Sequence, residues 1–179
     1  MSSSSRASFA CCAAAAFMLG GCSGLISFDV THDIAEQQVE GGALGGVLGG
    51  VVEIPLDIDL SAETAARDTG PAQHVYLTEL SLAITPTAEP AGDTDDFDFL
   101  DAIEIFVESR QAGSTLPRQR IAVLDPVPRG VRRLELEPEG VDLIEYVQEG
   151  ALLTSNARGT FPPDAVTFDG RIVLVVEVL

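Results

Sequence analysis

The nine residues Val52–Leu60 read VEIPLDIDL, in which every second side chain is a large aliphatic one and the residues between them are Glu53, Pro55, Asp57 and Asp59. Because successive side chains of a β-strand point to opposite faces of a sheet, this alternation predicts a strand with one buried and one solvated face. Pro55 has no backbone N–H to donate to a neighbouring strand. We therefore expect Val52–Leu60 to be an edge strand, or to bulge at Pro55.

The same alternation recurs along the chain and predicts further strands at Phe28–Ile34, Tyr76–Thr85, Ala102–Ser109, Arg120–Leu124, Arg132–Glu137, Leu152–Thr160 and Gly170–Leu179. Val173 and Val175 make the second face of the last strand apolar, which indicates a central position in the sheet. Short helices are expected at Ala62–Arg67, capped by Ser61, and at Leu143–Glu149, capped by Asp142 and ended by Gly150. The sequence thus predicts an all-β fold, an antiparallel β-sandwich of about eight strands with one or two short connecting helices.

An apolar segment starts at Ala7, just after Arg6, and ends in Leu19-Gly20-Gly21-Cys22. A positive start, an apolar segment of about fifteen residues and small residues at its end are typical of a secretory signal rather than of a membrane span. The last four residues resemble the lipobox of bacterial lipoproteins, in which an apolar residue and two small residues precede a cysteine that is acylated and becomes the mature N-terminus. The resemblance is limited to the first 22 residues, and it implies lipidation of Cys22.

This resemblance implies a signal peptide at residues 1–21, a lipidated N-terminus and short tether at residues 22–26, and one β-sandwich domain at residues 27–179. The protein would contact the membrane through its lipid anchor. Ser23 is not the aspartate that marks inner-membrane retention in lipoproteins, so the expected location is the outer membrane of a bacterial cell envelope. Cys11 and Cys12 would leave with the signal, so the domain must be held by its core without a disulfide.

The chain is strongly acidic, with 28 Asp and Glu against 10 basic residues, all of them arginine, and a net charge of -18. Such a charge repels nucleic acid, so we expect no nucleic-acid partner. Five arginines cluster within a short stretch: Arg118, Arg120, Arg129, Arg132 and Arg133. They could bind lipopolysaccharide phosphates or an acidic partner through bidentate contacts, or pair with the protein's own carboxylates. The excess of carboxylates favours internal pairing.

Two loops carry candidate features. The predicted loop Ala35–Val51 contains Gly41–Gly50, in which two glycines alternate with two apolar residues. This segment is expected to be a mobile loop; its apolar residues could instead dip into lipid or gate an apolar cavity.

The second loop is acidic, and alternating carboxylates can bind calcium. Its weak candidate ligands are Asp93, Asp95, Asp96, Asp98 and Asp101. Their spacing departs from that of an EF-hand, and a solvated loop is the expected outcome.

Catalytic motifs are missing from the sequence, which has two histidines, no nucleophile elbow and no phosphate-binding loop. We therefore expect no enzymatic activity and no cofactor. The favoured hypothesis is a structural or interaction module at the cell envelope, with an envelope protein or a lipid as its partner. Two alternatives remain, a carrier of a small apolar ligand such as a lipid and a calcium-dependent adhesion module. A large apolar cavity between the sheets would favour the carrier, and a solid core the interaction module.

Overall fold

The computed structural model describes residues 26–42, 53–56, 59–86 and 94–178, with the backbone alone at 53–56. Cys22 and the repeat from Ala43 to Gly50 lie outside the described residues. The strands are β1 (Ile26–Val39), β2 (Glu53–Leu56), β3 (Ala72–Ile84), β4 (Leu100–Ser109), β5 (Gln119–Leu124), β6 (Arg133–Pro138), β7 (Ala151–Gly159) and β8 (Val166–Val178), and the helices are α1 (Leu60–Ala66) and α2 (Ile144–Gln148).

The strands form one 8-stranded sheet in the order β1-β8-β3-β6-β5-β4-β7-β2, and every pair is antiparallel. The sheet folds at β6, whose residues 133–136 pair with β3 while residues 137–138 pair with β5. The inner faces of the two resulting layers form one hydrophobic core. This arrangement confirms the predicted all-β, antiparallel sandwich.

Strand β8 lies at the centre of one layer. Its inward side chains Ile172, Leu174, Val176 and Val178 are all 0% exposed. The outward Val173 and Val175 are half-buried, and β8 is paired on both sides, by β1 and β3. The predicted central position of this strand is therefore confirmed.

The two edges of the sheet are β1 and β2. β2 pairs only with β7, and Pro55 lies opposite Leu152 in that pairing. A residue without an N–H is tolerated there because one side of an edge strand has no ladder to complete. The predicted edge position of the Pro55 strand is confirmed.

The bounds of β1 differ from the predicted ends of the tether and of the first strand. It begins at Ile26, inside the predicted tether, and extends to Val39, so the loop predicted from Ala35 starts later. A register shift between Ile34 and Gln37 interrupts the alternation and hides the continuation of the strand from the sequence pattern.

Helix α1 also differs from the prediction. Of the strand expected over Val52–Leu60, the structure describes Glu53–Leu56 as strand, and Leu60 begins the helix. The N-cap is Asp59 rather than Ser61, because the Asp59 carboxylate accepts a hydrogen bond of 2.9 Å from the N–H of Ala62.

The direction of β1 gives the sandwich two distinct ends. Ile26, Val178 and Ala72 lie side by side at one end, which we call the N-terminal end. At the opposite end, the far end, Val39 pairs with Val166. The 14 residues of β1 at a rise of about 3.3 Å each separate the two ends by on the order of 40 Å.

Candidate functional site

The acidic segment folds onto the loop that follows β5 at the far end. Phe97, which is 1% exposed, anchors it in the core. Next to it, the Asp98 carboxylate accepts a hydrogen bond of 2.5 Å from the N–H of Gly130. Asp101 Oδ1 lies 2.6 Å from Arg129 Nη2, and the same guanidinium donates to the carbonyl oxygen of Asp98. These carboxylates therefore join the acidic segment and the start of β4 to the loop after β5.

The remaining calcium candidates that the structure describes take part in contacts within the protein. Asp96 Oδ1 accepts a hydrogen bond of 2.9 Å from the N–H of Asp98, which closes a local turn. Asp95 is also engaged within the protein, and Asp93 lies outside the described residues. Across the described ranges, no cluster of three or more Asp, Glu, His or Cys side chains could hold a metal ion. The described part of the loop thus has the form of a capped turn.

Arg118 lies on the outer face of the layer formed by β4 and β7. Its Nε is 2.9 Å from Glu108 Oε1, and its Nη2 is 3.2 Å from the hydroxyl oxygen of Thr154. The guanidinium stacks over Phe106 at 3.6 Å from the ring centroid. An arginine held by a carboxylate and an aromatic face has few donors left for a second anion.

Arg120 and Arg133 are also paired with the protein's own carboxylates. Arg120 lies 2.6 Å from both Glu139 and Glu104, and hydrogen bonds to these two raise the pKa of the guanidinium. Arg133 lies 2.6 Å from Glu135, whose hydrogen bond raises its pKa. Arg132 is engaged within the protein as well. The five candidate arginines form separate internal contacts rather than one binding patch.

Three of the concave spaces lined by described residues bear on a possible ligand site. Between the layers, a cavity of about 30 Å³ is lined by apolar core side chains such as Leu80, Ile103 and Phe168. At the far end, an open cleft of about 410 Å³ lies between residues 94–99 and residues 160–166, where Phe161 is 38% exposed. At the N-terminal end, a groove of about 380 Å³ separates α1 from α2. The larger spaces thus lie on the surface.

Sequence reasoning missed a histidine–carboxylate pair at the N-terminal end. His74 Nδ1 lies 2.6 Å from Asp142 Oδ2, although 68 residues separate the two in sequence. Asp142 Oδ1 accepts hydrogen bonds of 3.1 Å from the N–H groups of Val75 and Ile144, so one carboxylate joins β3 to the start of α2. Asp142 was predicted as the cap of this helix, and its bond to Ile144 fits part of that role; the N-cap itself is Leu143.

Each partner shifts the titration of the other. The hydrogen bond to Asp142 raises the pKa of His74. Burial acts to raise the pKa of Asp142, but the hydrogen bonds from His74, Val75 and Ile144 together hold it below its ordinary value. The pair is therefore ionised between the lowered pKa of the carboxyl and the raised pKa of the imidazole.

This pair predicts a pH dependence of stability. Because the folded pKa of His74 is raised, its contribution is fully present below the unfolded pKa and is lost as pH rises through the folded pKa. We expect NMR titration to give His74 a pKa above its ordinary value, and D142N to lower it. E177Q is the matched control, because Glu177 contributes the smallest of the raising effects. An unchanged His74 pKa in D142N would contradict the ion pair.

Comparisons with known proteins add similarity of fold only. No protein-family model and no curated protein matches the chain. The crystal structure of the decameric BFDV capsid protein is 12% identical, with a TM-score of 0.42, and the match covers 87% of this chain and 99% of that one. The 60-mer of the BFDV capsid protein is 11% identical over 87% of this chain and 93% of that one, with a TM-score of 0.36. The Tomato Aspermy Virus structure is 9% identical, with a TM-score of 0.36, over 83% of this chain and 76% of that one.

These similarities carry no argument about function at such TM-scores. The helices among the described residues are too short or too polar to cross a membrane.

Proposed function

We propose that this chain is a lipid-anchored protein of the bacterial outer membrane whose β-sandwich is a non-catalytic interaction module. The lipobox-like Leu19–Cys22 supports the anchor. Since β1 begins at Ile26, only residues 23–25 would separate the acylated cysteine from the folded domain. A tether of this length, about 10 Å when extended, would keep the N-terminal end at the membrane surface.

The filled core is the observation that favours an interaction module over a carrier. A site for a small apolar ligand typically needs about 300 Å³ or more. The cavity between the layers measures about 30 Å³, a tenth of that volume. Branched side chains such as Ile172, Leu174 and Val107 fill the rest of the described interior, each of them 0% exposed. Recognition would then take place on the surface of the sandwich.

The direction of β1 relative to the proposed anchor favours the far end and the sides of the sandwich as the recognition surface. With Cys22 anchored next to Ile26, the far end would project away from the bilayer by the length of β1. The N–H of Gly42 donates a hydrogen bond of 3.1 Å to the carbonyl oxygen of Pro162, so the glycine-rich segment starts at the far end. This position gives no support to the hypothesis that the segment dips into the anchoring membrane.

Native mass spectrometry of protein purified from its own membranes tests this proposal against the carrier. We expect the mass of the chain with its covalent acyl groups and no further lipid, because the cavity that the described residues line between the layers measures only about 30 Å³. Protein unfolded in denaturant and refolded without lipid serves as the control and should show the same mass. A stoichiometric extra lipid that is lost on refolding would overturn the interaction module in favour of the carrier.

A further inference from the structure

We propose that the free edge of β1 binds an extended, basic segment of a partner protein as an added strand. The inference rests on the proposed role as an interaction module and specifies its surface and the chemistry of its partner. Among the described residues, β1 is paired on one side only, by β8. An unpaired strand edge presents a row of N–H and C=O groups that can pair with another extended chain.

The two edges of the sheet differ in their suitability for such pairing. β2 has four residues and contains Pro55, and both features limit strand addition. β1 has 14 residues without proline, and its pairing with β8 is regular from Ile26 to Ile34, before the bulge. Residues 26–34 therefore form the more suitable acceptor.

The inner side of this edge is incompletely covered. Phe28 and His32 face inward yet are only half-buried, whereas Val176 and Ile172, opposite them on β8, are 0% exposed. The Arg67 guanidinium covers part of the Phe28 ring, 4.3 Å from its centroid. A strand added beside β1 would place every second side chain on the inner face, next to Phe28 and His32. These positions of the partner should be apolar, because they would extend the core.

The outer side of the edge is acidic. Asp29, Thr31 and Asp33 are exposed there, and residues 26–42 contain four acidic side chains and no arginine. Asp33 contacts Arg171 at 3.2 Å, but the two side chains are 74% and 58% exposed, so this pair is readily rearranged. Opposite charges on directly facing strands are favourable, so Arg or Lys should alternate with the apolar residues of the partner.

The same charges disfavour a second copy of this chain as the occupant. Antiparallel self-pairing centred on Thr31 would set Asp29 of each copy directly against Asp33 of the other. Like charges facing each other across strands are destabilising, and each copy carries a net charge of -18. A strand from another protein could place apolar side chains on the inner face of this edge and basic side chains on its acidic outer face.

A peptide titration followed by NMR tests this proposal on the full-length chain in non-ionic detergent. The probe is a nine-residue peptide that alternates Arg and Val, and the control peptide alternates Glu and Val. We expect the Arg–Val peptide to shift amide signals of residues 26–34, to leave those of 53–56 unchanged, and to bind at least tenfold more tightly than the control. D29N/D33N should weaken its binding about tenfold, whereas E137Q/E145Q, which removes the same charge elsewhere, should leave it within twofold.

Each of the following results would show that β1 is not the docking surface: equal binding of the Glu–Val peptide, amide shifts confined to other strands, or a dimer of the chain that forms through β1. If the peptide fails to bind while C22A still releases the protein from membranes, the docking edge is wrong and the anchoring proposal stands.

Discussion

Replacing Cys22 by alanine is expected to abolish membrane attachment, because the acylated thiol would be the only covalent link to lipid. Buried acyl chains contribute about 0.8 kcal/mol per methylene, so two or three chains together give stable anchoring. We expect C22A either to accumulate as the uncleaved precursor or to leave the detergent phase on Triton X-114 partitioning. Precursor size on a gel and phase distribution are the measurements.

Two further cysteines provide matched controls for this experiment. Cys11 and Cys12 lie in the segment that would be removed, so C11A and C12A should change neither the size nor the distribution of the mature protein. A C22A protein that matures normally and still partitions with membranes would show that the lipobox interpretation is wrong.

Replacing Gly159 by alanine should cause a large loss of stability. Gly159 has a φ of +153°, and a Cβ at this position would lie 2.0 Å from the carbonyl oxygen of Phe99. That oxygen accepts a hydrogen bond of 2.9 Å from the N–H of Thr160, so the clash falls on the junction of β4 and β7. We expect G159A to lower the free energy of unfolding by at least about 3 kcal/mol, measured by urea denaturation.

Gly113 separates the backbone effect from the clash. Its φ is +85°, but no atom lies within 4 Å of the position that a Cβ would occupy. G113A should therefore cost only about 1 kcal/mol, the usual penalty for a positive φ at a residue with a Cβ. Equal losses in G159A and G113A would contradict the close approach at Gly159.

The number and faces of the strands could be predicted from the sequence because one periodicity runs through most of the chain. In β8, for example, the alternation of Ile172, Leu174 and Val176 with Val173 and Val175 correctly identifies both faces and the central position. Inward positions require apolar side chains irrespective of which strand lies next to them, so this information is local.

Boundaries were less predictable wherever one residue fits two elements. Leu60 continues the alternation of the preceding strand but also fits the first turn of α1, and the Asp59 cap decides in favour of the helix. Gly170 resembles the end of a turn after Asp169, yet it lies inside β8. A Cβ there would lie 2.8 Å from Leu82 Cδ2 and 3.0 Å from Ile34 Cδ1. Close approach of neighbouring strands, which the local pattern does not encode, explains this glycine.

Side-chain pairings between distant segments could not be predicted at all. His74 and Asp142 each have an unremarkable local environment in the sequence, and only the docking of α2 beside β3 brings them together. Arg129, in the loop after β5, and Asp101, in β4, meet in the same way at the far end. Internal pairing of the arginines could be expected from the excess of carboxylates, but the individual partners could not.

The orientation of β1 has a mechanical consequence for an anchored protein. If a partner held the far end while the membrane held Cys22, tension would run along the axis of β1 from Ile26 to Val39. Its hydrogen bonds to β8 lie across that axis, so the whole ladder would be sheared at once instead of being unzipped one bond after another. The β1 strand would then resist tension along its own axis through all of its hydrogen bonds to β8.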